Sequence, residues 1–267
     1  MIVFPNAKIN IGLKIVGKRQ DGFHNLESIF YPIKWFDILE INPSKTFQFH
    51  SSGLKINGDL DSNLVVKAFK LIQNKYDIPN VNIHLHKQIP MGAGLGGGSA
   101  DGSFTLTALN TLFDLKISIL DLELMADTLG SDCPFFIENK PKFVSEKGNK
   151  MTPINLDLNG FYIKLVNPNI HINTADAFIG INNVNQSDFD LKHINLNSFL
   201  THHTQPKNDF EQTVFLKHPQ LNEIKQTLIN EGALYASMTG TGSTIYGFFK
   251  DEPCATFNSF TEKIIQL

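Results

Sequence analysis

The chain has 267 residues, with 23 Lys and Arg against 26 Asp and Glu, and a net charge of −3 with His neutral. At 42% hydrophobic and 18% charged residues it can fill a sizeable core, which excludes a disordered tail, and the charge balance lacks the basic footprint of a nucleic-acid binder. No apolar run reaches the ~18 residues of a membrane span, and two cysteines, Cys133 and Cys254, exclude a disulfide scaffold and a four-cysteine zinc site.

The opening, MIVFPNAKINIGLKI, is broken by Pro5, Asn6 and Lys8 and lacks a signal-peptide cleavage pattern, so a reducing cytosol is the expected compartment. Ile9, Ile11, Leu13 and Ile15 alternate with Lys8, Asn10, Gly12 and Lys14, the period of a half-buried strand. A polar stretch, KRQDGFHNLES, separates it from a second strand around Ile29, Tyr31 and Ile33. Asp61-Ser62-Asn63 opens a helix carrying Leu64, Val65, Ala68, Phe69 and Ile72. Val81, Ile83 and Leu85 alternate with Asn82, His84 and His86 as a strand. The glycine-rich segment PMGAGLGGGSADG follows, and behind it a helix with Phe104, Ala108, Leu109, Leu112 and Phe113. A further helix is predicted over Ile119–Leu129, opened by Ser118 and stopped by Gly130.

Between Glu138 and Asn159 the pattern weakens. With domains of ~100–200 residues as the rule, a boundary here gives domains 1–155 and 156–267. Residues 161–166 predict a strand. Leu221, Ile224 and Leu228 form a helix with Pro219 in its first turn and Gly232 past its end. Residues 233–238 and 244–249 flank Thr239-Gly240-Thr241-Gly242-Ser243 as a hairpin-like pair, and Phe257, Phe260, Ile264 and Ile265 predict a closing amphipathic helix. No repeat of 20–50 residues is visible, which disfavours solenoids and propellers. Strands and helices mix without strict alternation, so the fold class is α+β.

Gly92, Gly94, Gly96, Gly97 and Gly98 crowd into seven positions. Such a run lets a ligand approach the backbone, and successive N–H groups can converge on an anion. Ser99 reads as the N-cap of the helix behind, which would aim unpaired N–H groups at that anion, most naturally a phosphate. A merely flexible loop would need no helix directly behind it. No Gly-Lys-Ser/Thr follows, so this is not a P-loop. G-x-G-x-x-G at Gly92, Gly94 and Gly97, with Asp114 further on, leaves a dinucleotide fold open. The alternating strand before the loop lowers that reading, because a central parallel strand is continuously apolar.

Three segments belong together: Pro5-Asn6-Ala7-Lys8-Ile9-Asn10-Ile11 followed by Arg19-Gln20-Asp21-Gly22-Phe23-His24; Pro90-Met91-Gly92-Ala93-Gly94-Leu95-Gly96-Gly97-Gly98-Ser99-Ala100-Asp101; and Met238-Thr239-Gly240-Thr241-Gly242-Ser243. Their order and spacing resemble the GHMP kinase superfamily, which phosphorylates small metabolites with ATP. The first segment is similar to the branch acting on a cytidine diphosphate-linked methylerythritol in the non-mevalonate (MEP) route to isoprenoids. Leu129-Gly130-Ser131-Asp132-Cys133-Pro134-Phe135-Phe136 and Asn208-Asp209-Phe210-Glu211 resemble two more motifs of that branch.

The resemblance implies an N-terminal domain like domain 2 of ribosomal protein S5, a ferredoxin-like C-terminal domain, and a cleft between them for both substrates. It makes Asp132 the group that accepts or orients the proton of the substrate hydroxyl, where the residues alone favour a cap or turn aspartate after Gly130. Lys8 would keep Asp132 ionised and screen the transferring phosphoryl group, where a solvated strand lysine is the plain alternative. Asn10, on the same strand face, would orient the substrate. Phe23 and His24 would receive the cytosine ring, Thr174 would contact the substrate, and Phe178 would cover the other ring face. Residues Pro90 to Ala100 would hold ATP, and Asn63 would lie near the nucleotide or simply cap its helix. Asp101 would meet Mg²⁺ or complement the helix dipole. Mg²⁺ would arrive on the ATP phosphates, since no metal-ligand spacing is present. Residues 239–243 would close the phosphate side, or form a plain turn. Cys133 reads as a buried small residue and not a nucleophile. The expected partner is the small-molecule substrate alone, without nucleic acid or membrane, in a monomer or weak homodimer of the bacterial cytoplasm. A homoserine- or mevalonate-type kinase, a non-catalytic nucleotide-binding module and a nicotinamide dehydrogenase remain as alternatives.

Overall fold

In the computed structural model the described residues are 1–20, 22, 24–179, 189–194, 200 and 205–267. In chain order the strands are β1 (Ile2–Val3), β2 (Asn6–Lys18), β3 (His24–Phe36), β4 (Ile38–Pro43), β5 (Gln48–Gly53), β6 (Val81–Lys87), β7 (Lys142–Ser145), β8 (Lys150–Pro153), β9 (Tyr162–Asn167), β10 (Tyr235–Met238), β11 (Ile245–Phe249) and β12 (Thr261–Gln266). The helices are α1 (Leu64–Lys75), α2 (Gly97–Leu112), α3 (Ile119–Leu129), α4 (Phe135–Glu138), α5 (Thr174–Phe178), α6 (Glu211–Lys217) and α7 (Pro219–Asn230). None of these helices is long and apolar enough to cross a membrane.

The chain folds as two compact units that interleave along the sequence. The first comprises residues 1–7, 35–91 and 96–140. Its sheet has the order β1-β4-β6-β5, antiparallel except for the β5–β6 pair. Asn63 starts α1 because its side chain accepts a hydrogen bond from Val65 N at 2.9 Å. Ser118 does the same for α3 with Asp121 N at 3.1 Å, and Gly130 ends that helix. The buried stripe Val65, Ala68, Phe69 and Ile72 packs with Ile83 and Leu85 of β6 and Leu106 and Leu109 of α2. Apart from Ala68, each of these side chains contributes roughly 1.5–3 kcal/mol on leaving water.

The second unit comprises residues 8–34, 92–95 and 141–267. It contains two four-stranded sheets, β2-β3-β7-β8 and β10-β11-β9-β12. Residues 138–159, where the sequence pattern weakens, contain the β7–β8 hairpin. The expected pair around residues 239–243 is an antiparallel hairpin, from Tyr235 opposite Phe248 to Met238 opposite Ile245. Its core gathers Leu13, Ile15, Val166, Phe210, Val214, Leu221, Ile224 and Met238.

One element differs in kind from the sequence reading. The closing segment is not an amphipathic helix: residues 261–266 are β12, paired antiparallel with β9 from Thr261 opposite Asn167 to Gln266 opposite Tyr162. A helix this short is marginal alone, whereas pairing along β9 satisfies backbone groups at once. Phe257 and Phe260 stack on one another at 6.0 Å ahead of the strand.

Candidate active site

The glycine segment turns through residues 91–95 before entering α2. The N-cap is Gly96, with φ 69°, and not Ser99, which lies inside the first turn. The left-handed glycine bends the chain into the helix early. The first helical bond, Ala100 N to Gly96 O at 2.9 Å, leaves the N–H groups ahead of it for an anion. Three contacts pin the middle of the loop. Leu95 O accepts from Lys8 N at 2.9 Å, Ala93 O from Thr244 N at 3.3 Å, and Gly94 O from Thr239 Oγ1 at 2.9 Å. Gly94 has φ +77°, and a Cβ there would lie 2.0 Å from Thr239 O, so no side chain fits while that contact stands.

Lys8 and Asn10 project from β2. The polar phase of that strand is not solvated: every residue from Asn6 to Leu13 is buried, and Lys8 is 3% exposed. The alternation therefore separates core from site, not core from water. Lys8 Nζ donates to Asn10 Oδ1 at 2.6 Å and stands 4.4 Å from the centroid of the Phe30 ring. Asn10 is itself held from all sides. Its N donates to Thr239 Oγ1 at 3.0 Å and its Nδ2 to Ser28 Oγ at 2.9 Å, while its carbonyl accepts from Tyr246 Oη at 2.7 Å. Ser28 Oγ in turn donates to Gly12 O at 2.6 Å. Burial raises the Tyr246 pKa well above its ordinary value, which keeps that phenol a donor.

The NDFE motif works one layer behind. Asn208 Nδ2 donates to Met238 O at 2.8 Å and to Gly240 O at 2.7 Å. Glu211 accepts from Met238 N at 2.8 Å and Ser237 Oγ at 2.9 Å, and pairs with Lys225 at 2.6 Å. Asp209 Oδ2 accepts from Ile15 N at 2.7 Å. One tetrapeptide thus anchors both β2 and the turn that carries Thr239.

Phe210 of the same motif meets Phe178 edge-on at 4.8 Å, and Phe178 stacks on His24 at 4.7 Å and 15°. Two of the three ring positions expected around a pyrimidine are therefore in mutual contact. Phe23 lies outside the described residues. Thr174 and Phe178 both fall on α5, and the Thr174 hydroxyl lies 3.4 Å from that of Thr241 in the 239–243 turn.

The remaining candidates belong to the first unit. Asp132 is half-buried in the turn between α3 and α4. Beside it Cys133 is fully buried, and burial pushes its thiol up to about 11, which suits packing and not nucleophilic attack. Asn63, Leu64, Lys87, Met91, Gly98 and Asp101 help line a cavity of about 360 Å³.

Asp101 is not exposed at the helix tip. It is 3% exposed and accepts from Lys87 Nζ at 2.9 Å, while Lys87 also binds Asp37. Asp37 in turn accepts from Gln88 N and Ile89 N, the residues that lead into the glycine segment. Burial pushes the Asp101 carboxyl up to about 8 against the pull of Lys87, with Asp37 adding to the rise, and its Oδ1 has no hydrogen-bond partner. Gly97 lets the helix start pass over Lys87, since a Cβ there would lie 2.8 Å from Nζ.

Sequence reasoning did not single out Lys87, Asp37, Ser28 or Tyr246. Lys87 had a readable signal: it continues the buried phase of Val81, Ile83 and Leu85. A charge in that phase must find a buried partner.

The GHMP kinases N terminal domain matches residues 63–140 and the GHMP kinases C terminal domain matches residues 184–255. A 4-diphosphocytidyl-2-C-methyl-D-erythritol kinase of Azobacteroides pseudotrichonymphae genomovar. CFP2 is 47% identical over 263 residues, 97% of each chain. A crystal structure of 4-(cytidine 5'-diphospho)-2C-methyl-D-erythritol kinase superposes with a TM-score of 0.76 at 27% identity, covering 92% of this chain and 89% of that one. A homoserine kinase from Cytophaga hutchinsonii shares the fold alone, with a TM-score of 0.62 at 16% identity over 97% and 93% of the two chains. With a cation and amide buried beside a glycine loop, and with relatives matching it end to end, the chain belongs to the GHMP kinases and, within them, to the 4-diphosphocytidyl-2-C-methyl-D-erythritol kinase family.

Proposed function

We propose that the chain transfers the γ-phosphoryl group of ATP to the 2-hydroxyl of 4-diphosphocytidyl-2-C-methyl-D-erythritol. The observation that carries the reading is the chain of contacts from Lys8 through Asn10 and Thr239 to Gly94 O, which ties a buried ammonium to the anion-ready loop. In the step, the hydroxyl oxygen bonds to the γ-phosphorus as the bond to the bridging oxygen breaks, and ADP leaves with the electron pair. Asp132 takes the hydroxyl proton or orients it, which requires an approach of ~2.6–3.2 Å. Lys8 screens the charge on the transferring group, and Asn10 aims the ammonium through its amide oxygen.

The segment Pro90 to Ala100 cradles the ATP phosphates, and the cavity containing Asn63 receives the nucleoside end. Thr174 contacts the substrate, and the cytosine stacks in the aromatic group of Phe23, His24 and Phe178. Since His24 and Phe178 are already in contact, His24 turns aside or meets the base edge-on. Mg²⁺ held on the ATP phosphates would supply neutralisation of their charge. Among the described residues no three His, Cys, Asp or Glu are grouped so as to hold a metal ion. We also propose the family's domain division at residues 155/156, a monomer or weak homodimer, and a place in the bacterial cytoplasm without nucleic-acid or membrane partners.

A coupled ADP-release assay over a panel of alcohols tests the reading. Turnover is expected with the cytidylated substrate and not with homoserine or mevalonate. Activity on either of those and none on the cytidylated compound would contradict it.

A further inference from the structure

No role above uses His171, yet the structure places it against the glycine segment. Gly92 has φ +65°, and the point where a Cβ would stand lies 3.4 Å from His171 Nδ1 and 3.7 Å from Cε1. The imidazole therefore leans directly on the loop backbone, with no side chain between. Both line a cavity of about 430 Å³ with Gly94, Asn173, Thr174 and Thr241.

Each polar side chain of that cavity can donate. Thr174 and Thr241 bring hydroxyls 3.4 Å apart. Asn173 spends its Oδ1 on Ala175 N at 2.8 Å, which leaves its Nδ2 to give. Among the described residues no carboxylate lines this cavity. An imidazole adds one N–H when neutral and two when protonated. His171 is exposed, so its ring nitrogens are within reach of a ligand. Several side chains able to donate suit a group rich in oxygen acceptors.

We propose that His171 contacts phosphate directly and sets the affinity of this cavity for a phosphoanhydride. The inference rests on the reading of the glycine segment as a phosphate cradle, and it adds a residue from outside the glycine and turn motifs. The phosphoanhydride comes either from the triphosphate of ATP or from the diphosphate of the cytidylated substrate, and the two sources can be separated.

The test is calorimetric titration of the wild-type chain, His171→Ala and His171→Gln with inorganic tripolyphosphate and, separately, with CDP. His171→Ala should weaken one of the two ligands by about tenfold, the loss for one charge-assisted hydrogen bond. His171→Gln, which retains an N–H donor, should recover part of it. A loss confined to tripolyphosphate assigns His171 to ATP; a loss confined to CDP assigns it to the substrate diphosphate. Changes below threefold for both ligands overturn the inference while leaving the phosphate cradle intact. If the wild type binds neither ligand, the cradle reading fails and this inference fails with it. Thermal melting separates a contact from a folding defect: a ring exposed at the surface should leave the melting temperature of both variants unchanged.

Discussion

Two buried lysines, one in each compact unit, are treated differently by their surroundings. Lys87 lies between two carboxylates, Asp37 and Asp101, and is 1% exposed. Lys8 rests on an amide oxygen and an aromatic face. Acidic groups on both sides lock an ammonium into structure; an amide oxygen and an aromatic face orient it. The first arrangement suits a pin beneath a helix start; the second holds the ammonium beside the glycine loop, where the proposed reaction uses it.

Substitutions sharpen that contrast. The largest effect is expected from Lys8→Met, which should lower kcat by about 10²–10⁴-fold with little change in KM. Equal losses in kcat and substrate affinity would instead make Lys8 a binding residue. Gly94→Ala, which forces a Cβ against Thr239 O at a positive φ, should cost roughly 2–4 kcal/mol, read from chemical denaturation. Asn208→Ala leaves the carbonyls of Met238 and Gly240 without their donor, and should cost roughly 2–3 kcal/mol and lower kcat through the displaced turn.

On the Lys87 side, pH gives the reading. The folded Asp101 carboxyl keeps its proton to about 8, whereas an unfolded one loses it near its ordinary value of 3.8. The folded state therefore binds the extra proton between those values, and its stability falls as pH rises through that window. Asp101→Asn cannot titrate, so its stability relative to the wild type should increase from pH 5 to pH 8. A constant difference across that range would mean that Asp101 is ionised throughout. The smallest effect belongs to Asn63→Ala, about 1 kcal/mol for the lost helix cap. A raised KM for ATP in that variant would add a nucleotide contact to the capping role.

How much of this was readable from the sequence depended on the range of the interaction. α3 could be bounded to the residue, because Ser118 and Gly130 act on their immediate neighbours. The terminal segment misled, because the spacing of Phe257, Phe260 and Ile264 is helical while its decisive partner, β9, lies about a hundred residues earlier. Lys8 and Asn10 were visible as a motif. Their supports were not: Thr239 is 229 positions from Asn10 and Tyr246 is 236. Ser99 looked like a cap because serine is a good one, but a left-handed Gly96 had already turned the chain.

The central claim of the proposed mechanism is that Lys8 and Asp132 act on one and the same hydroxyl. A double-mutant cycle in kcat tests it most directly, with Lys8→Met, Asp132→Asn and the pair measured on the cytidylated substrate. Joint action requires the double variant to be within about threefold of the slower single variant, as residues that work as a unit fail together. Losses that multiply, each variant imposing its full factor on the other, would place the two residues in separate roles and contradict the mechanism.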